Sequence, residues 1–244
     1  MRRARGQAAV ETALTLPLVL FMLLGTLQLF TLLQGRILAQ YAVGRATRMG
    51  SLNHGKCDPM VKSAIAILMP AIDPSFATEA PGSTGAEYAR ETKLRSAKNS
   101  YQATKDAGRD GPVVWLDRVR PLVGTINPAF EEDVWNLPEG PDRTLEVRMT
   151  FWFPLKIPFA NWAFARLAMA HWGVEEYPNV SPYMVAARDA KWTRGAGVVA
   201  PATRITNKMK ARFYSSPPQY VFPIQATYAM RMMSPARFVL QNCQ

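Results

Sequence analysis

Apolar positions are distributed unevenly along this chain. From Ala8 to Leu33 they form a nearly unbroken run, interrupted by Glu11 and by mild polar residues such as Thr12, Thr15, Thr26, Gln28 and Thr31. About 20 residues suffice to cross a bilayer as a helix, so the run predicts a transmembrane span. Threonine hydroxyls bond back to helix carbonyls and cost little in lipid. Beyond the run, Leu33, Ile37, Leu38, Tyr41 and Ala42 recur at helical spacing. One helix is therefore expected from Gln7 to Met49, about 65 Å at 1.5 Å per residue, with its second half laying that apolar stripe on a soluble domain. The GSLNHG segment from Gly50 to Gly55 reads as its stop.

The remaining pattern is mixed. Asp58 and Pro59 form a helix start, and Met60, Val61, Ala64, Ile65 and Leu68 give one apolar face, predicting a short helix from Pro59 to Met69 closed by Pro70. A Pro/Gly/Ser-rich loop runs to Ser83. Thr84 and Glu87 then have capping-box spacing, opening a polar helix to about Lys105 with Leu94, Ala97 and Tyr101 inward. From Thr144 the period becomes two: Leu145, Val147, Met149, Phe151 and Phe153 alternate with mostly polar neighbours, a strand ended by Pro154. PFANWAFARLAMAHWG reads as a brief helix or a second strand, and Tyr220 to Met233 as a strand pair or one long strand. Pro201, Pro217 and Pro218 mark loops. The expected class is α+β: a long N-terminal transmembrane helix entering a domain of short helices and a small antiparallel sheet.

Three arginines, Arg2, Arg3 and Arg5, precede the apolar run. A secretory signal has the same order, but its apolar core is about 7–15 residues and is followed by a small-residue cleavage site. This run is longer, and no such site precedes the next charges. Glu11 then stands out, because a carboxylate in a membrane helix is expensive and implies a partner. Its nearness to the helix start helps through the dipole; Arg3 and Arg5 are candidate partners, and snorkelling to the interface is the bland alternative. Pro17 removes one helix hydrogen bond and predicts a kink, either functional or merely tolerated. Arg36, Arg45 and Arg48 follow the span, so flanking charge does not fix orientation.

The GQAAVE segment at Gly6–Glu11, the Leu16-Pro17-Leu18 step, the leucine-rich run and ILAQYAVGRATR together resemble the TadE-like family of pseudopilins from tight-adherence, type IVb-like pilus systems. The likeness runs from Gly6 to about Arg48. It implies a basic leader over residues 1–6, a pilin-like helix over 7–50 and a periplasmic or extracellular α+β domain over 51–244. It further implies cleavage between Gly6 and Gln7 by a prepilin peptidase, and pairing of Glu11, then fifth in the mature chain, with the new amine of its own or a neighbouring subunit. Glycine before the cut has no Cβ to obstruct a tight protease cleft. The implied setting is the bacterial inner membrane, single-pass, with the N-terminus cytoplasmic. The implied partners are other pilin or pseudopilin subunits and the assembly platform, and the implied role is a minor pilin or pseudopilin.

The net charge of +11 suits an anionic surface. No basic cluster interleaved with aromatics appears, which argues against nucleic acid. No nucleophile motif accompanies His54 or His171, and no HExxH, Walker or GxGxxG motif exists, so no catalytic residue, metal or cofactor is assigned and the chain is expected not to be an enzyme. Glu131, Glu132, Asp133 and Asp142 have the oxygen chemistry of a calcium site, but the reading preferred for them, and for Glu175 and Glu176, is a solvated cluster of loop charges. Cys57 and Cys243 are the two cysteines. In an exported domain one bridge would tie its start to its end; two separate thiols is the alternative. A membrane-anchored binding or adhesion module that never polymerises is the second functional reading.

Overall fold

The computed structural model describes residues 3–72, 85–101, 112–121, 144–175, 201–215, 218–234, 236–237 and 242–243, with backbone alone at 3–10, 86, 98, 171–175, 201–203 and 242. The helices are α1 (Arg3–Leu52), α2 (Cys57–Ile72), α3 (Gly85–Lys98), α4 (Ala160–Glu175) and α5 (Pro201–Phe213). The strands are β1 (Val114–Arg120), β2 (Thr144–Pro154), β3 (Val221–Arg231) and β4 (Asn242–Cys243). They form one sheet in the order β3-β2-β1-β4, with β1 antiparallel to both β2 and β4. The class is α+β, led by one long apolar helix. Pro223 removes a ladder donor and is accommodated because β3 is an edge strand.

The chain divides into two compact units, Met1–Thr31 with Pro154–Phe222, and Leu32–Phe153 with Pro223–Gln244. In the second, the outer half of α1 is held by its small residues. Ala39, Ala42, Val43 and Ala46 are fully buried. A Cβ at Gly35 would meet the Phe153 ring at 2.5 Å, and one at Gly50 would meet Met60 and Leu145 at 2.7 and 2.8 Å. The bulk thus comes from the other elements, and the helix supplies the groove. This corrects the expected stripe: Leu33, Ile37 and Tyr41 are 57%, 63% and 57% exposed, whereas Ala42 is buried.

Helix α2 buries the expected face of Met60, Val61, Ala64, Ile65 and Leu68. It begins earlier than expected, at Cys57, and runs through Pro70 to Ile72, so Asp58 lies in its first turn and Pro70 in its last. It packs on α3, β1 and β4. Helix α3 stops at Lys98, because Asn99 takes a left-handed backbone (φ 46°) and its side chain bonds across to the next segment. Asn99 Oδ1 accepts from Val113 N and Val114 N at 3.2 and 3.1 Å, and Nδ2 donates to Val114 O at 2.8 Å. Its inner face also differs: Leu94 and Ala97 are exposed, while Arg95 is buried and bonds Tyr101 O. Thr84, residues 102–105, Glu131, Glu132, Asp133, Asp142, Glu176 and Pro217 lie outside the described residues.

Strand β2 follows the period-two pattern, and Thr150 and Trp152 are buried as well, because both faces of its second half are covered. Trp152 packs edge-on against Trp115 of β1 at 4.9 Å. In the first unit the aromatic segment forms helix α4, which packs on α5. The expected loop at Pro201 is instead the first turn of α5, where a proline's missing donor costs nothing.

Candidate functional site

Between Glu11 and Leu23 every side chain of α1 is exposed, including Leu14, Leu16, Leu18, Val19, Leu20 and Phe21. Such a surface is unstable in water and stable in lipid. The helix from Glu11 is long and apolar enough to cross a membrane. Its polar side chains are turned back on the backbone: Thr15 Oγ1 donates to Glu11 O at 3.0 Å, Thr26 Oγ1 to Leu23 O at 2.8 Å and Thr31 Oγ1 to Gln28 O at 2.9 Å. These bonds remove the cost of a hydroxyl in hydrocarbon.

Gly6 and Gln7 lie within the helical backbone, one turn before Glu11. Glu11 is exposed on the bare part of the helix. Pro17 cannot donate to the carbonyl of Ala13, and the helix nonetheless continues through it. The structure brings Gly6, Gln7, Glu11 and Pro17 together on one continuous element. The two cysteines belong to a separate place.

Residues 6–48 match the model of the TadE-like protein family. The matched segment is α1 almost alone, ending four residues before the helix does. Comparison with curated proteins and with solved structures gave no match. The TadE-like segment points to a pilus-associated, pilin-like protein with one membrane-spanning helix.

The C-terminal end of the TadE-like helix is fixed by the end of the chain. Met233 N and Ser234 N donate to Ser51 O at 3.1 and 3.0 Å, and Ser234 Oγ donates to the same carbonyl at 2.8 Å. His54 N donates to Ser234 Oγ at 2.8 Å, and Arg237 N to His54 O at 2.9 Å. Helix carbonyls that would lack partners are satisfied in this way. His54 and Gly55 take left-handed backbones (φ 57° and 71°), turning the chain into α2. Buried Arg118 of β1 donates to Gly55 O, and burial lowers its guanidinium to about 10, which leaves it cationic at neutral pH. At the same corner Cys57 and Cys243 form a disulfide, with Cα atoms 5.3 Å apart and Cys243 paired to Leu116 in the sheet.

Sequence reading passed over Gln28 as one mild polar residue among several. It is fully buried. Its Oε1 accepts from Ile157 N at 3.2 Å and its Nε2 donates to Thr31 Oγ1 at 3.1 Å. Gln28 is where α1 ceases to be bare within its own unit. The available signal was a full amide in a run whose other polar residues, apart from Glu11 at its start, are threonines.

Proposed function

We propose that this chain is a TadE-type minor pilin or pseudopilin, processed by a prepilin peptidase after Gly6 and used in assembling a tight-adherence, type IV-like pilus or related secretion machine. The observation that carries this reading is the TadE-like match over residues 6–48 on a helix whose first half is bare, with Glu11 five positions after Gly6. Removal of MRRARG takes away Arg2, Arg3 and Arg5 and creates an amine on Gln7. In the inner membrane, with the N-terminus cytoplasmic and the C-terminal domain periplasmic, Glu11 pairs with that amine on its own or a neighbouring subunit. Coulomb attraction is strong in a low dielectric but is offset by desolvation. The pair therefore contributes register and docking more than stability. Pro17 gives the helix a point of reduced backbone bonding for the move from lipid into a helical bundle.

N-terminal mass spectrometry of the protein from its native membrane, with and without the host's prepilin peptidase, tests the processing. A chain beginning at Gln7 only when the peptidase is present supports the reading. An intact leader in both samples sinks it and leaves the membrane-anchored module. Glu11→Gln separates the roles further: a subunit that depends on the carboxylate loses assembly while its membrane insertion is unchanged or improved.

A further inference from the structure

Helix α4 is built with its faces reversed for a helix in water. Among its described side chains the fully buried ones are small, Ala160, Ala165 and Ala168, with Phe164 and Met169 half-buried, whereas Trp162 is 52% exposed and Leu167 68% exposed. Arg166 is exposed beside them, and the only other charge among its 16 residues is Glu175 at the far end. A helix on a protein surface ordinarily turns polar residues outward. The turn before α4 continues the pattern. Phe159 is 76% exposed and is held there by a left-handed backbone (φ 63°), an unfavourable conformation for an aromatic residue. Lys156 is exposed in the same turn, and Tyr214, 72% exposed, follows α5, on which α4 packs.

The height of this surface along α1 is fixed by Gln28. Its amide bonds Ile157 N at 3.2 Å, and Phe159 is two residues further on, within about 7 Å of extended chain. Gln28 is 17 residues beyond Glu11, about 26 Å of helix, against a hydrocarbon thickness of about 30 Å. With Glu11 near one boundary, Gln28 lies close to the other. Aromatic rings, a leucine and cations at that depth are what the interfacial zone of a bilayer accepts. Arg166 also covers the Trp162 ring at 5.7 Å and the Phe213 ring at 5.0 Å, which keeps its charge at the rim of the aromatic surface.

We propose that the outward face of α4, with Phe159 and Tyr214, is an interfacial lipid-binding surface, seated in the headgroup region of the leaflet from which α1 emerges near Gln28. The occupant is lipid, with Lys156 and Arg166 toward anionic headgroup phosphates. The chain is thereby attached twice, by a span and by an interfacial helix. The proposal rests on α1 being a membrane span.

The test uses the full chain in vesicles of phosphatidylethanolamine and phosphatidylglycerol. Both native cysteines are bonded to each other, so an introduced cysteine is the only free thiol. Nitroxide labels are placed singly at Phe159→Cys, Trp162→Cys and Leu167→Cys, with Leu20→Cys as the lipid reference and Arg45→Cys as the water reference. Collision with oxygen is compared with collision with a water-soluble nickel chelate. The expected result is that labels at 159, 162 and 167 read between the two references, with more oxygen collision and less nickel collision than position 45. Water-like readings at all three, with position 20 in lipid, overturn this proposal alone and assign the surface to a protein partner. A water-like reading at position 20 overturns the anchor and this proposal with it.

Discussion

Two glycines on the same helix should respond oppositely to alanine. At Gly35 an added Cβ would lie 2.5 and 2.7 Å from Phe153 Cδ2 and Cε2 and 3.1 Å from Ile224 Cδ1. Carbon atoms prefer about 3.5–4.0 Å, so the overlap is close to an ångström. The Phe153 ring is 6% exposed and stacks edge-on against Phe151 at 5.9 Å, which leaves it little room to swing. Overpacking of this kind costs about 1–3 kcal/mol, and alanine's helix propensity returns about 1 kcal/mol. With so rigid a neighbour, a net loss of about 1–2 kcal/mol is expected for Gly35→Ala. At Gly44 the Cβ would meet Tyr228 at 3.8 Å, an ordinary contact. Gly44→Ala should therefore gain about 0.5–1 kcal/mol from propensity alone. The full chain is unfolded by urea in detergent micelles, followed by near-ultraviolet circular dichroism, to which the buried Trp115–Trp152 pair contributes. The two variants should differ by about 2 kcal/mol, roughly thirtyfold in the folded-to-unfolded ratio. Equal stability of the two, or a Gly35→Ala variant more stable than the parent, would refute the close approach of α1 to β2.

Replacing Cys57 and Cys243 together by serine should lower stability by about 2–5 kcal/mol, because the bridge closes a loop spanning 186 positions; the same urea titration with and without reductant measures it, and an unchanged midpoint would count against a stabilising bridge. Gln28→Leu leaves Ile157 N without its acceptor, at a cost of about 1–3 kcal/mol. Amide hydrogen exchange at Ile157 should accelerate, while Gln28→Glu, which keeps an acceptor oxygen, should retain more protection. Asn99→Ala loses three buried bonds and a residue suited to a left-handed backbone, so a loss of about 2–4 kcal/mol is expected by denaturation.

The parts of the fold that sequence made legible were those where size and position agreed. The apolar run of α1 exceeds the bilayer, and β2 alternates with period two, so both follow from pattern alone. β1 was missed because VWLDRVR puts Asp117 and Arg118 mid-strand, and only the structure shows Arg118 buried on the Gly55 carbonyl. β4 has two residues and exists through its pairing with β1 and its bridge to Cys57. α5 looks polar throughout, yet Ile205, Thr206, Met209 and Arg212 recur on one buried face, and Pro201 marks its start. On α1, α3 and α4 the reading by hydrophobicity chose the wrong inward residues or none. On α1 large side chains were assigned to the core, whereas small ones were needed there because Phe153, Leu145 and Met60 already filled the space; on α3 the buried residue is the polar Arg95, held by the Tyr101 carbonyl. That Gly6, Gln7, Glu11 and Pro17 share one helix was legible because they lie on one continuous stretch. Gln28 was not, because its partner is 129 residues away.

The inversion on α1 also bears on what the helix does. From Glu11 to Leu23 all sides of α1 are exposed, and further out Leu33, Ile37 and Tyr41 remain exposed on one face while Gly35, Ala39 and Ala42 are buried on the other. Within the second unit α1 is thus buried on one face and exposed on the other, and within the first unit it is bare before about Gln28. A helix serving solely as an anchor has no need of Leu33, Ile37 and Tyr41 on its uncovered face, since with Glu11 at one boundary a hydrocarbon layer of about 30 Å is already crossed by that point. Glu11 is the matching anomaly at the other end, costly in hydrocarbon and eased by a cation. Both features become favourable in the same event, the lateral packing of one such helix against another. That coincidence at two distant points of α1 is what the proposed role as an assembling subunit accounts for and a solitary anchor leaves without a purpose.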